Sequence, residues 1–166
     1  ALFGIPAGAL GRKIGRKKTI VGGLIVIIGV FLLYLLVSQL VPMKPDGSVS
    51  TFTWIVLWIA VVVGGAAVGA ININTLPLVL AIGGREYVGT FTGYYYTATF
   101  SAAVTGPILC GLIIGLFKED YNFMFLFCGI FFALGLLAML GVKHGEVNKG
   151  EDTEWLEEAV AAASDE

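Results

Sequence analysis

The chain has 166 residues, of which 57% are hydrophobic and only 13% are charged, and its formal net charge is −2. Soluble domains average about 45–50% apolar and about 25% charged residues, so this composition excludes an ordinary soluble domain and favours a membrane protein. Cys110 and Cys128 both lie in apolar stretches, which argues against a disulfide framework and against a metal-ligand spacing.

The chain opens with an apolar stretch, residues 1–10, which we interpret as the end of a truncated transmembrane helix. Residues 11–18 follow as a predicted basic loop, because they hold half of the ten Lys and Arg residues. The positive-inside rule places such a cluster in the cytoplasm. Its cations are Arg12, Lys13, Arg16, Lys17 and Lys18.

Four runs without any charged residue follow, and they contain 25, 38, 31 and 22 residues. A hydrocarbon layer of about 30 Å needs roughly 20 helical residues, so each run is long enough to cross it once. The sequence therefore predicts an all-α membrane protein with four transmembrane helices within residues 19–142. We expect these helices at about 19–41, 53–82, 89–117 and 122–142.

Alternation along the four spans puts eight Lys and Arg residues on the cytoplasmic side and two, Lys44 and Lys118, on the other side. The opposite orientation reverses that ratio, so we expect the basic loop and the C-terminus in the cytoplasm. Residues 143–166 form an acidic tail, which we interpret as a solvated terminus. The alternative for this tail is a docking helix over Thr153–Ala163.

The predicted helices differ in polarity. The first and fourth are apolar on nearly every face, so we expect them at the periphery, against lipid. In the second, Trp58, Gly65 and Asn72 share one face, whereas Asn74 points about 200° away from Asn72. We interpret Asn74 as a link between helices, and for Asn72 both a solute pathway and a structural hydrogen bond stay open. Pro77 removes a backbone hydrogen bond and predicts a bend.

A stripe of polar side chains follows the third predicted helix over a face of about 80°. Such hydroxyls either bond to their own or a neighbouring helix or line a solute pathway, and both alternatives stay open. Further along, the spacing of Gly111 and Gly115 allows another helix to approach closely. The stripe consists of Thr90, Tyr94, Thr97, Ser101 and Thr105.

The basic loop and its flank read Gly8-Ala9-Leu10-Gly11-Arg12-Lys13-Ile14-Gly15-Arg16-Lys17-Lys18. This run resembles the loop signature of the major facilitator superfamily, Gly-x-Leu-Ala-Asp-Arg-x-Gly-Arg-Lys, which recurs more loosely after the eighth helix. The resemblance implies that the four spans are helices nine to twelve, part of the C-terminal bundle of a twelve-helix transporter. Arg12 departs from the signature, because the family has there an Asp that joins a charge network at the inward gate.

Two further motifs carry the resemblance. Gly106-Pro107, followed by Gly111, is similar to a glycine-proline motif of the family's fifth helix, which the pseudo-repeat relates to the eleventh. The runs 74–77 and 89–93 look like bacterial members close to the sucrose and glycoside–cation symporters. The resemblance implies loop-signature or gating roles for Gly8, Arg12, Gly15, Arg16, Lys17, Pro77, Gly106 and Pro107.

These features lead us to expect the C-terminal fragment of a secondary active transporter that moves a small solute, such as a sugar or glycoside, by alternating access. Expected partners are membrane lipids, the N-terminal remainder of the transporter, the solute, and a coupling proton or sodium ion; the expected location is a bacterial inner membrane. The predicted spans contain no Asp, Glu, Lys, Arg or His, so we expect any coupling residue elsewhere. The expected solute-pathway residues are Trp58, Asn72, Tyr94, Thr97 and Ser101.

Other functions fit the sequence less well. An enzyme is not expected, because the chain has no Ser/His/Asp set, carboxylate pair or phosphate loop, and we expect no cofactor, metal or nucleic acid. A small four-helix drug exporter relies on a membrane-embedded Glu in its first helix, which is absent here. The remaining alternative is a four-helix membrane scaffold or assembly subunit without transport activity, which leaves the signature run and the polar stripe unexplained.

Overall fold

The computed structural model describes residues 4–41, 49–83, 86–117 and 121–142. These residues form five helices and no strand: α1 (Gly4–Ile14), α2 (Arg16–Leu40), α3 (Thr51–Gly83), α4 (Val88–Leu116) and α5 (Asn122–Gly141). Helices α2 to α5 are long and apolar enough to cross a membrane. The prediction of an all-α membrane protein with four transmembrane helices is confirmed. The expected tail, residues 143–166, lies outside the described residues.

The segment predicted as a basic loop, residues 11–18, is helical on both sides of a single residue. Helix α1 continues to Ile14 and α2 starts at Arg16, so only Gly15 separates them. Gly15 has φ 110° and ψ 136°, a conformation that only glycine adopts readily, and it joins the two helices without a longer connection. The expected loop is therefore a tight helix–helix junction. We call this end of the bundle the junction end.

Helix α2 lies between α3 and α5 and packs against both. On the α3 side, close approach depends on glycine: a Cβ placed on Gly23 would lie 2.8 Å from the Ile71 side chain, and one on Gly64 would lie 3.2 Å from Ile27. On the α5 side, Phe31 stacks on Phe132 with 5.6 Å between ring centroids. The buried apolar residues of the core are Ile20, Leu24, Ile27, Val30, Ala60, Ala67 and Leu78.

Burial within the chain does not follow the polarity of the helices. Helix α2, which we expected at the periphery, has the largest share of buried residues among the four long helices, whereas α4, with its polar stripe, has none. The reason is that an apolar side chain packs as well against another helix as against lipid, and small residues decide how close two helices come. Helix α4 contacts α3 and α5 and leaves most of its surface open.

Candidate functional site

Asn74 joins α1 to α3 at the junction end. Its side chain is 3% exposed, and its Nδ2 donates hydrogen bonds to the carbonyl oxygens of Ala7 at 3.2 Å and Ala70 at 2.8 Å. The amide fits against Gly11 so closely that a Cβ on Gly11 would lie 1.7 Å from Asn74 Oδ1. The interpretation of Asn74 as a link between helices is confirmed.

Asn72, two residues earlier, lies on the opposite side of α3 and is exposed. It makes no hydrogen bond to any residue that the structure describes. Trp58, 62% exposed, and Gly65 are also open, so the face predicted from the seven-residue spacing is uncovered along its length. An amide facing hydrocarbon without a partner is costly, which means that Asn72 requires water, solute or another polar group beside it.

The polar stripe of α4 divides into two kinds of hydroxyl. The Thr105 hydroxyl donates to the carbonyl of Ser101 at 2.8 Å, so its need for a partner is met within its own helix. The hydroxyls of Thr97 and Ser101 have no hydrogen-bond partner among the described residues, and both side chains are exposed. Tyr94 beside them is 68% exposed and touches the ring of Phe91 edge to face. Exposure alone says little here, because most of the surface of α4 is open.

Helices α3 and α4 each carry an exposed face with polar side chains. Helices α3 and α4 approach closely at the junction end, where a Cβ on Gly83 would lie 2.5 Å from the Phe91 ring. Among the described residues, no hydrogen bond or ring contact joins Trp58 or Asn72 to Tyr94, Thr97 or Ser101. The described residues thus offer exposed hydrogen-bonding groups on two neighbouring helices, α3 and α4.

The signature residues lie at the junction end and divide by burial. Arg16 Nη1 donates to the carbonyl of Pro77 at 3.2 Å, and Lys17 Nζ donates to the carbonyls of Leu140, at 3.4 Å, and of Val142, at the end of α5. A cation at the C-terminus of a helix is favourable because it meets the negative end of the helix dipole. Arg16 and Lys17 therefore tie the start of α2 to α3 and α5.

The other signature residues are placed differently. Arg12 is exposed, and a Cβ on Gly8 would make an ordinary contact of 3.6 Å with Ile73. Pro77 and Pro107 both lie inside continuous helices, and nothing lies within 4 Å of a Cβ placed on Gly106, Gly111 or Gly115. Of the implied gating residues, Pro77 alone contacts a signature side chain among the described residues.

Besides Gly83, sequence reasoning overlooked three glycines that make close helix contacts. A Cβ added to Gly11, Gly23 or Gly64 would lie 3.2 Å or less from a side chain on another helix. A signal for Gly11 was present, because it lies four residues after Ala7 and so extends a strip of small residues along one side of α1. Gly23 and Gly64 each stand next to a second glycine, and the sequence does not tell which one of a pair is packed.

The described residues contain no group of three or more His, Cys, Asp or Glu side chains that could hold a metal ion. Four helices that are long and apolar enough to cross a membrane define a multi-pass membrane protein. Among the described residues, every buried side-chain nitrogen and oxygen atom has a hydrogen-bond partner. The family model of the Major Facilitator Superfamily matches residues 1–162. The chain belongs to this superfamily of membrane transporters. No curated protein and no solved structure matches it.

Proposed function

We propose that the chain supplies helices nine to twelve of a secondary transporter that moves a small solute of the sugar or glycoside class. The signature run before α2 and the four spans that follow it support this position. In such transporters two helix bundles rock about a site near the membrane midplane. By this proposal the junction end is cytoplasmic, as its concentration of cations favours.

The observation that carries the proposal is the contrast between the two amides of α3. Asn74 is enclosed and hydrogen-bonded to α1, whereas Asn72 is exposed and free of hydrogen bonds to the described residues. Since an amide in a membrane span needs a polar partner, Asn72 serves a water-filled cavity and the solute within it. Trp58, on the same face, adds an aromatic surface of the kind that lines ligand sites.

Helix α4 supplies the second surface in this proposal. The hydroxyls of Thr97 and Ser101, which have no partner in the described part of the chain, donate to and accept from a solute with several hydroxyl groups, and Tyr94 provides an aromatic ring beside them. Helices α3 to α5 contain no ionisable Asp, Glu, Lys, Arg or His among their residues. By this proposal, any Asp, Glu, Lys, Arg or His that takes part in coupling lies outside these helices.

The test compares neighbouring positions of α3 in the complete transporter. Asn72→Leu removes the exposed amide, Asn74→Leu removes the buried one, and Ile73→Leu is the matched exposed control. Uptake of radiolabelled sucrose and methyl β-glucoside is measured in proteoliposomes and divided by the amount of protein in the membrane. We expect Asn72→Leu to lower uptake about tenfold, which corresponds to one hydrogen bond lost from the site, at unchanged abundance.

We expect Asn74→Leu to lower abundance instead, because it removes a link between helices, and Ile73→Leu to change neither quantity. Unchanged uptake by the Asn72 variant would contradict the pathway role. Uptake of neither sugar by the unmodified transporter would contradict the sugar class. A full-length protein that transports no solute, with an intact fold, would favour the scaffold alternative.

A further inference from the structure

The described part of the chain has an unbalanced charge at the junction end. Its charged side chains are five cations of the signature segment and a single anion, Glu86, and no ion pair joins any of them. Arg16 and Lys17 are turned to backbone carbonyls. The other three cations are exposed to the surroundings, and we call them the exposed trio: Arg12, Lys13 and Lys18.

The end of α5 lies beside the start of α2. Lys17 Nζ bonds to the carbonyls of Leu140 and Val142, and Lys18 is the next residue along α2. Val142, the last described residue, therefore lies at the junction end, bonded to Lys17. This placement of Val142 follows from its hydrogen bond with Lys17 and does not depend on which side of the membrane the junction end faces.

The segment that follows Val142 is strongly acidic. Eight of the twelve Asp and Glu residues of the protein come after Gly145, where Lys149 is the only cation. Glu146 is four residues beyond Val142, a reach of at most about 14 Å, and Glu151 is nine residues beyond it, a reach of about 30 Å. The first carboxylates of the tail are thus within reach of the exposed trio.

We propose that the acidic tail, residues 146–166, binds back onto the exposed trio and neutralises it. Tethering beside the trio gives the tail carboxylates an effective concentration in the millimolar range, which favours them over free anions. A single exposed ion pair is too weak to hold the tail in place. Several carboxylates that face three cations form a network of ion pairs, which binds more strongly. The bound tail also competes with anionic lipid headgroups, which basic residues next to a membrane attract.

The test uses the 166-residue chain, one copy in each phosphatidylcholine nanodisc. A zero-length carbodiimide joins a lysine amine to a carboxylate only when the two are in contact, and peptide mapping by mass spectrometry locates the links. We expect links from Lys13 and Lys18 to tail carboxylates. Their yield should fall at least about fivefold in 1 M salt, where the screening length shrinks to about 3 Å. Lys44, in the connection at the opposite end of α2, serves as the internal control.

A second measurement follows the acetylation rate of Lys13 and Lys18 in a variant with a neutralised tail. We expect this rate to rise about two- to fivefold relative to that of Lys44, because the lysines lose their carboxylate partners. The variant carries Glu146→Gln, Glu151→Gln, Asp152→Asn, Glu154→Gln, Glu157→Gln, Glu158→Gln, Asp165→Asn and Glu166→Gln.

Three results would overturn the proposal. The first is the absence of links to Lys13 and Lys18 at low salt, and the second is an equal yield of links to Lys44. The third is protection of Lys13 and Lys18 from acetylation in phosphatidylglycerol nanodiscs alone, with no effect of the tail charges. That result would assign the exposed trio to lipid headgroups instead.

Discussion

Substitution of Gly11 tests the contact between α1 and α3 directly. A Cβ at this position would lie 1.7 Å from Asn74 Oδ1 and 2.7 Å from its Cγ, far inside any tolerated contact. In Gly11→Ala the amide has to leave its place, and its hydrogen bond to Ala7 is lost. The matched control is Gly22→Ala, because nothing lies within 4 Å of a Cβ there.

The expected magnitude follows from three effects. Both substitutions replace glycine inside a helix, which gains about 1 kcal/mol in helix propensity. Gly11→Ala in addition loses about 1–3 kcal/mol through overpacking and about 0.6 kcal/mol through the interhelical hydrogen bond. The propensity gain cancels between the two variants, so Gly11→Ala should be less stable than Gly22→Ala by about 1.6–3.6 kcal/mol.

The assay is unfolding of the chain in mixed micelles of increasing dodecyl sulfate content, followed by circular dichroism. A double-mutant cycle adds Asn74→Ala, which removes the atoms that the new methyl group strikes. The loss in the double variant should then be smaller than the sum of the two single losses, by about 1 kcal/mol or more. Additive losses, or a Gly11 variant as stable as the Gly22 control, would refute the contact.

Three further predictions use the same unfolding assay. Gly64→Leu should lower the free energy of unfolding by about 1–3 kcal/mol, because a Cβ at this position lies 3.2 Å from a side chain of α2. Gly65→Leu should lower it little, because nothing lies within 4 Å of a Cβ there. Equal losses in the two variants would contradict this packing. Both Gly15→Ala and Gly15→Asn should lose about 1–3 kcal/mol, since φ 110° with ψ 136° suits glycine alone, and a neutral effect of either would contradict the tight junction. Lys17→Met should lower the free energy of unfolding by about 0.3–2 kcal/mol, because it leaves the end of α5 without its cation. Lys18→Met, at an exposed position, should change it by less than about 0.5 kcal/mol. Reversed effects would contradict the assigned contacts.

The four long helices were predictable because charge marks where a chain can enter a bilayer. Each charge-free run became one helix, and each helix ends within about three residues of the predicted bound. The junction at Gly15 was not predictable in the same way. The basic composition of this segment predicts a loop. Arg16 and Lys17 nevertheless lie at the start of a helix, because carbonyls of α3 and α5 accept their hydrogen bonds. Those partners are distant in sequence.

Helical periodicity separated Asn72 from Asn74 before any contact was known. Residues two positions apart in a helix point in directions that differ by about 200°. It could not identify what either amide meets. The partner of Asn74 is a carbonyl 67 residues away, and the space for its side chain exists only because residue 11 has none. A single sequence contains both halves of this contact without indicating that they belong together.

Polarity and packing therefore answer different questions in a membrane protein. Beyond its basic start, helix α2 is apolar on nearly every face and is nevertheless the most enclosed of the four long helices, because glycine lets α3 come close. A polar side chain shows where a hydrogen-bond partner is required, and exposure alone does not show that it has a function. The informative comparison is between two amides. Asn74 has hydrogen-bond partners within the chain, and Asn72 has none among the described residues. By this criterion Asn72 is the stronger pathway candidate on α3, and Trp58, which carries a single donor on a large apolar ring, depends on Asn72 for its assignment.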